Sequence, residues 1–144
     1  MDSKLKKQMA KIVDAVQPFC DEPILTAMTC SHAGSMSSAL MSKFIDGAGA
    51  LSKSFDLPNP VFIAVGERYV YAFKYKPRGF KFKIKKEVAR WPKDEVSVPH
   101  EETGMMCYFI LTLKSGESYP MEIPIMMGGK ELVQKFLDSF NLQE

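Results

Sequence analysis

The chain has 144 residues, enough for one domain with a real hydrophobic core. Hydrophobic residues make up 46% and charged residues 25%, ordinary globular usage that argues against a wholly disordered chain. No run of about 18 uncharged apolar residues is present to span a membrane. The formal net charge of +2 hides an asymmetry: seven basic residues and no acidic one lie from Lys74 to Lys86, leaving 12 basic against 17 acidic residues elsewhere. The sequence therefore predicts a mildly acidic body carrying one positive patch. Three cysteines, Cys20, Cys30 and Cys107, are widely separated and odd in number, a poor disulfide framework that suits a reducing compartment. The opening residues read as a charged helix rather than an apolar signal segment, so a cytoplasmic address is expected.

In chain order, Leu5, Met9, Ile12, Val13 and Val16 recur at helical spacing, with Lys4, Lys6, Lys7 and Lys11 on the other faces. This predicts an amphipathic helix over Ser3 to Phe19, ended by Pro18 and the Asp21-Glu22-Pro23 cluster and packed on the domain as its N-terminal segment, residues 1–22. Ile24 to Cys30 reads as a short strand. Residues 31–60 are rich in Ser, Ala, Gly and Met, yet Leu40, Phe44, Ala48, Leu51 and Phe55 keep a helical spacing that Ser37 or Ser38 is placed to cap. A long insertion carrying one weak helix is the expectation, because glycines and small residues dilute helix propensity.

From Val61 the pattern becomes a run of strands. Val61 to Val65 is continuously apolar, and Gly66-Glu67 turns into a strand from Tyr69 to Tyr75. Lys76-Pro77-Arg78-Gly79 has the chemistry of a turn. Beyond it Phe80, Phe82 and Ile84 alternate with Lys81, Lys83 and Lys85, a period of two that puts an apolar face inward and a lysine face in water. Glu87 to Trp91 continues this strand, and Glu95 to Val98 is a short one. Met105 to Leu113 and Ser118 to Ile125 form a hairpin across Ser115-Gly116. Pro120 and Pro124 assign the second of these to a sheet edge or a bulge. Leu132, Val133, Phe136, Leu137 and Phe140 then mark a C-terminal amphipathic helix.

About seven strands in hairpin order, closed by one helix with a wide aromatic stripe, resemble a pleckstrin-homology-like (PH-like) domain. The strand–turn–strand from Val61 to Phe73 is similar to one in small bacterial PH-like proteins of uncharacterised role. So are the Gly-containing turn with its basic strand, and Trp91 followed by the short strand Glu95 to Val98. The likeness covers residues 24 to 141. It implies a mainly β (α+β) fold for residues 23–144, a bent antiparallel sandwich or barrel capped by the C-terminal helix, with the N-terminal helix and the 31–60 insertion as additions. Lipid-binding PH domains place Lys and Arg around the loop joining their first two strands. That loop here corresponds to residues 31–60, whose only basic residues are Lys43 and Lys53. The positive charge lies instead on the third and fourth strands.

The candidate binding residues are therefore Lys74, Lys76, Arg78, Lys81, Lys83 and Lys85. Alternate residues on one strand face stand about 6.6 to 6.8 Å apart, so several can address one polyanion. The competing reading is a solvated sheet face whose lysines discourage edge-to-edge pairing. Tyr69, Tyr71 and Tyr75 lie near the lysines, but Phe80 and Phe82 run out of phase with them and no ribonucleoprotein-type motif is present, which argues against nucleic acid. Cys30 and His32 lack a second ligand pair, and His100 is isolated, so no metal site is expected. His100-Glu101-Glu102-Thr103 lacks the second His of a zinc-protease helix, and Gly128-Gly129-Lys130-Glu131 lacks the remainder of a phosphate loop. The expectation is a non-enzymatic module without cofactor, meeting an acidic protein or an anionic membrane surface. The alternative is self-association through the 31–60 insertion.

Overall fold

The computed structural model describes residues 3–33, 52–53, 56–78, 81–125 and 129–141. The helices are α1 (Ser3–Val16) and α2 (Lys130–Ser139). The strands are β1 (Ile24–His32), β2 (Ser52–Lys53), β3 (Val61–Gly66), β4 (Tyr69–Arg78), β5 (Lys81–Pro92), β6 (Val96–Ser97), β7 (His100–Thr103), β8 (Met106–Leu113) and β9 (Glu117–Pro124). Among the described residues the fold is thus mainly β, as the periodicity predicts. Its strand order is β5-β4-β3-β1-β9-β8-β6, with β7 also on β8 and β2 on β9. The β2–β9 pair is parallel and the other pairs are antiparallel.

Strand β1 joins the two halves of this sheet. Residues Ile24 to Cys30 pair with β3, whereas Ser31 and His32 pair with β9. The halves enclose the main core, in which Val61, Ile63, Val65, Val70 and Ala72 meet Phe109, Leu111, Met121 and Ile123. Helix α2 adds Leu132, Val133, Phe136, Leu137 and Phe140 to the same core, the whole predicted stripe. The continuous apolar run of β3 follows from burial on both faces. Its alternate residues Phe62 and Ala64 belong to a second cluster, with Tyr71, Phe73, Ile84, Ile24, Ala27 and Val16 of α1. Helix α1 packs against β1 and β5, giving Met9 to the main core and Val16 to the second cluster, while its lysines stay exposed. Among the described residues no helix is long and apolar enough to cross a membrane.

Several local expectations are corrected. The strand predicted to stop at Cys30 continues through His32, because Ser31 and His32 are what reach β9. Within the helix expected between residues 31 and 60, Ser52 and Lys53 are extended and pair with Glu117 and Ser118; residues 34–51 and 54–55 lie outside those described. Lys76-Pro77-Arg78 is strand rather than turn, opposite Lys83, Phe82 and Lys81. Proline is tolerated there because β4 beyond Phe73 has a neighbour on one side only among the described strands. Strand β9 is internal rather than an edge. Pro120 falls where the outer side of β9 changes partner, from β2 at residues 117–118 to β1 at residues 121–122, so its missing N–H interrupts neither ladder. Strand β7, hidden in the sequence by its charged residues, pairs with β8. The predicted β8–β9 turn forms, with Gly116 at φ 101° donating its N–H to the Leu113 carbonyl at 2.9 Å.

Candidate functional site

The basic residues are assembled by the β4–β5 hairpin. The β3–β4 register ends at Phe62 opposite Phe73, whereas β4 and β5 remain paired out to Arg78 and Lys81. Residues Lys74 to Arg78 with their β5 partners therefore form a two-stranded ribbon, of which Tyr75 to Arg78 project about 14 Å beyond the start of β3 at Val61. Directly opposed residues share a face, and the opposed pairs are Lys74 with Lys86, Lys76 with Lys83, and Arg78 with Lys81. This face continues the inner side of β4, where Val70 and Ala72 are buried in the core, but from Lys74 outward every one of its basic residues is exposed.

A bulge sets the composition of that face. Tyr75 lies opposite Ile84 while Lys74 lies opposite Lys86, so Lys85 is the additional residue on β5. Strict alternation would send Lys86 to the opposite side; the bulge returns it to the lysine face and leaves Glu87 opposite Phe73 on the other. The sequence reading named six residues, and the structure adds Lys86. Lys85 is held below the ordinary lysine value, first by Lys83, then by partial desolvation and by Lys76 and Arg78. No described ion pair involves any of the seven. The other face of the ribbon is aromatic: Tyr75 and Phe82 meet Phe62 edge-on at 5.6 and 5.5 Å and each other at 6.0 Å. This triad braces a hairpin that would be marginal alone.

At the opposite end of β4 lies a second polar assembly. Asp21 and Glu22, adjacent in the cluster expected to end the N-terminal helix, part company. Asp21 stays exposed but Glu22 is buried. The Glu22 carboxylate accepts the backbone N–H groups of Arg68 (2.8 Å) and Tyr69 (3.1 Å) and the Tyr71 hydroxyl (2.7 Å). The Gln17 side chain closes the preceding turn, donating to the Glu22 carbonyl and accepting from the Ile24 N–H. Arg90 lies 4.7 Å above the Tyr71 ring and bridges Glu87 at 2.9 Å and Asp21 at 3.3 Å. Lys93, also buried, donates to the Gly66 carbonyl at 3.0 Å, and its burial pushes its pKa down. Every member of this cluster is partnered within the protein, and the cluster ties the α1–β1 connection to the β3–β4 turn.

Gly66 is part of that tie, because a Cβ there would stand 2.6 to 2.9 Å from the Glu22 carboxyl atoms. Gly66→Ala is expected to cost about 1–3 kcal/mol by displacing the pinned carboxylate. In urea unfolding the loss should shrink when Glu22 is already Ala; an equal loss in both backgrounds would refute the clash. Asp21 has a different signature. The Tyr71 hydroxyl and then Arg90 hold its carboxyl below the ordinary 3.8. A carboxyl that is more acidic folded than unfolded favours folding while ionised, so its contribution is complete well above 3.8 and is lost as the pH falls through its lower folded value. Asp21→Asn should therefore lower the urea midpoint near neutral pH and flatten its acid limb, converging with the parent at the acid end; an unchanged limb would contradict this.

Other chemistry-bearing groups are dispersed. Cys30 and Cys107 are buried and Cys20 half-buried, all three are free, and burial pushes Cys20 up to about 12 and Cys107 to about 11. The exposed His100 ring contacts the Val98 carbonyl at 3.2 Å. Among the described residues no group of three or more His, Cys, Asp or Glu side chains is placed to hold a metal ion. An open cleft of about 420 Å³ lies between the β6 segment and the β8–β9 turn, bordered by Asp94, Glu95, Thr112 and Lys114. Comparison with protein-family models, curated proteins and solved structures found no match to this chain.

Proposed function

We propose that this protein is a non-enzymatic binding module that captures an anionic partner on the basic face of its β4–β5 ribbon. The observation that carries this reading is the pairing of like charges. Three cross-strand positions oppose cation to cation, an arrangement that disfavours the hairpin. Mixed charges would keep an edge soluble equally well, and this chain uses them on the other face of the same strand, where Arg90 bridges Glu87 and Asp21. A same-sign face on a projecting ribbon gains its advantage only when a polyanion neutralises it.

We further propose a PH-like domain working in the reducing cytoplasm. The fold part rests on the order β1, β3, β4, β5 as consecutive neighbours, the return of β9 to β1 and the C-terminal helix. The compartment rests on the three free cysteines. The test is retention on a heparin column. The triple variant Arg78→Glu, Lys81→Glu, Lys83→Glu should lose retention at an unchanged melting temperature. A charge-matched change of Lys4, Lys7 and Lys11 on α1 should retain most of it. Equal losses from both variants would reduce the effect to net charge and refute the site.

A further inference from the structure

This inference rests on the ribbon being the binding face, and it names the kind of partner. Strand β5 is terminal in the sheet order, so among the described residues no strand pairs with its outer edge, although helix α1 packs against part of β5. Along the ribbon it offers two different faces at alternate positions. Lys81, Lys83 and Lys85 lie on one; on the other are Phe82, half-buried against Phe62 and Tyr75, and the buried Ile84. An extended chain laid along this edge would alternate in the same way. Its odd residues would stand over the lysine row and its even residues over the aromatic triad.

We propose that the β5 edge takes up an extended acidic segment of a partner protein by strand addition, one in which acidic and apolar residues alternate. Main-chain hydrogen bonds would supply the common part of the affinity, and the two faces would supply the choice. The lysine row repels basic strands and gives neutral ones nothing in return, so the edge is closed to indiscriminate pairing but open to an acidic one. The bulge at Lys85 ends the regular stretch, which fits a short segment of about five residues rather than a long strand. A membrane surface or a nucleic-acid duplex would use the charge alone. Neither engages the edge amides or the aromatic face, and among the described residues the lysine face carries no aromatic ring on which a base could stack.

The experiment uses the full chain and three capped peptides. The first is acetyl-Val-Glu-Val-Glu-Val-Glu-Val-amide, the second has the same residues with the glutamates in one block, and the third is the alternating peptide N-methylated at every internal amide. Titration followed by amide chemical shifts should show the alternating peptide binding at least roughly tenfold more tightly than either control. The shifts should centre on β5, and Lys81→Glu with Lys83→Glu should remove them. Equal binding of the three peptides would overturn strand addition while leaving the anionic ribbon intact. So would tight binding of phosphatidylserine vesicles or a short random duplex without binding of the alternating peptide. If peptides, vesicles and duplex are all ignored at low salt, the ribbon reading falls as well.

Discussion

Glu22→Ala should lower the free energy of unfolding by about 3 kcal/mol, the order expected when a buried charged acceptor is removed from several donors at once. Its carboxylate holds the Arg68 and Tyr69 amides and the Tyr71 hydroxyl. Truncation leaves three donors without their acceptor, the Tyr71 hydroxyl buried and the two backbone N–H groups partly so. Glu22→Gln should recover only part of the loss. One amide oxygen can serve the Tyr69 N–H and the Tyr71 hydroxyl together, but the amide nitrogen must then face the Arg68 N–H. Tyr71→Phe removes one donor and should cost about 1 kcal/mol, less in the Glu22→Ala background than in the parent. Urea unfolding of the four proteins measures the coupling. A loss of under about 1 kcal/mol for Glu22→Ala would mean that water replaces the carboxylate and that the α1–β1 connection is not held by it.

The parts of this fold that were legible in the sequence are those set by local period. The apolar run of β3, the alternation from Phe82 through Lys85 and the stripe of α2 each follow from residues within a few positions of one another. What was not legible depends on partners far away in the chain. Asp21-Glu22-Pro23 has the composition of an exposed turn; Glu22 is buried because the Arg68 amide, 46 residues on, needs an acceptor there. Pro77 reads as a turn residue because nothing local reveals that β4 has lost its β3 neighbour by that point. Six of the seven basic-face residues could be named from alternation and clustering. Lys86 could not, since the bulge that brings it round is a property of the β4–β5 register and not of β5.

The like-charge pairs lead to a result that separates the two meanings of an exposed lysine face. Lys83→Glu converts the Lys76–Lys83 pair, two cations directly opposed across the ribbon, into an ion pair. It also relieves Lys85, whose ammonium is disfavoured chiefly by Lys83. If the face exists to bind an anion, this substitution should leave the thermal midpoint unchanged or higher while weakening heparin by roughly tenfold and flattening the salt dependence of what binding remains. Lys76→Glu should do the same from the other strand. The double variant, with two acids opposed, should bind least and gain no stability, because repulsion of one sign has merely been exchanged for the other. If the face exists only to keep the edge soluble, both single variants should be stable, soluble and indifferent to heparin relative to the parent. A lower midpoint in the single variants would show that the lysines stabilise the ribbon through their aliphatic stems, and the case for a repulsive face held ready for a ligand would be lost. Opposite movement of stability and affinity in one single-residue variant is the outcome that only a binding face predicts.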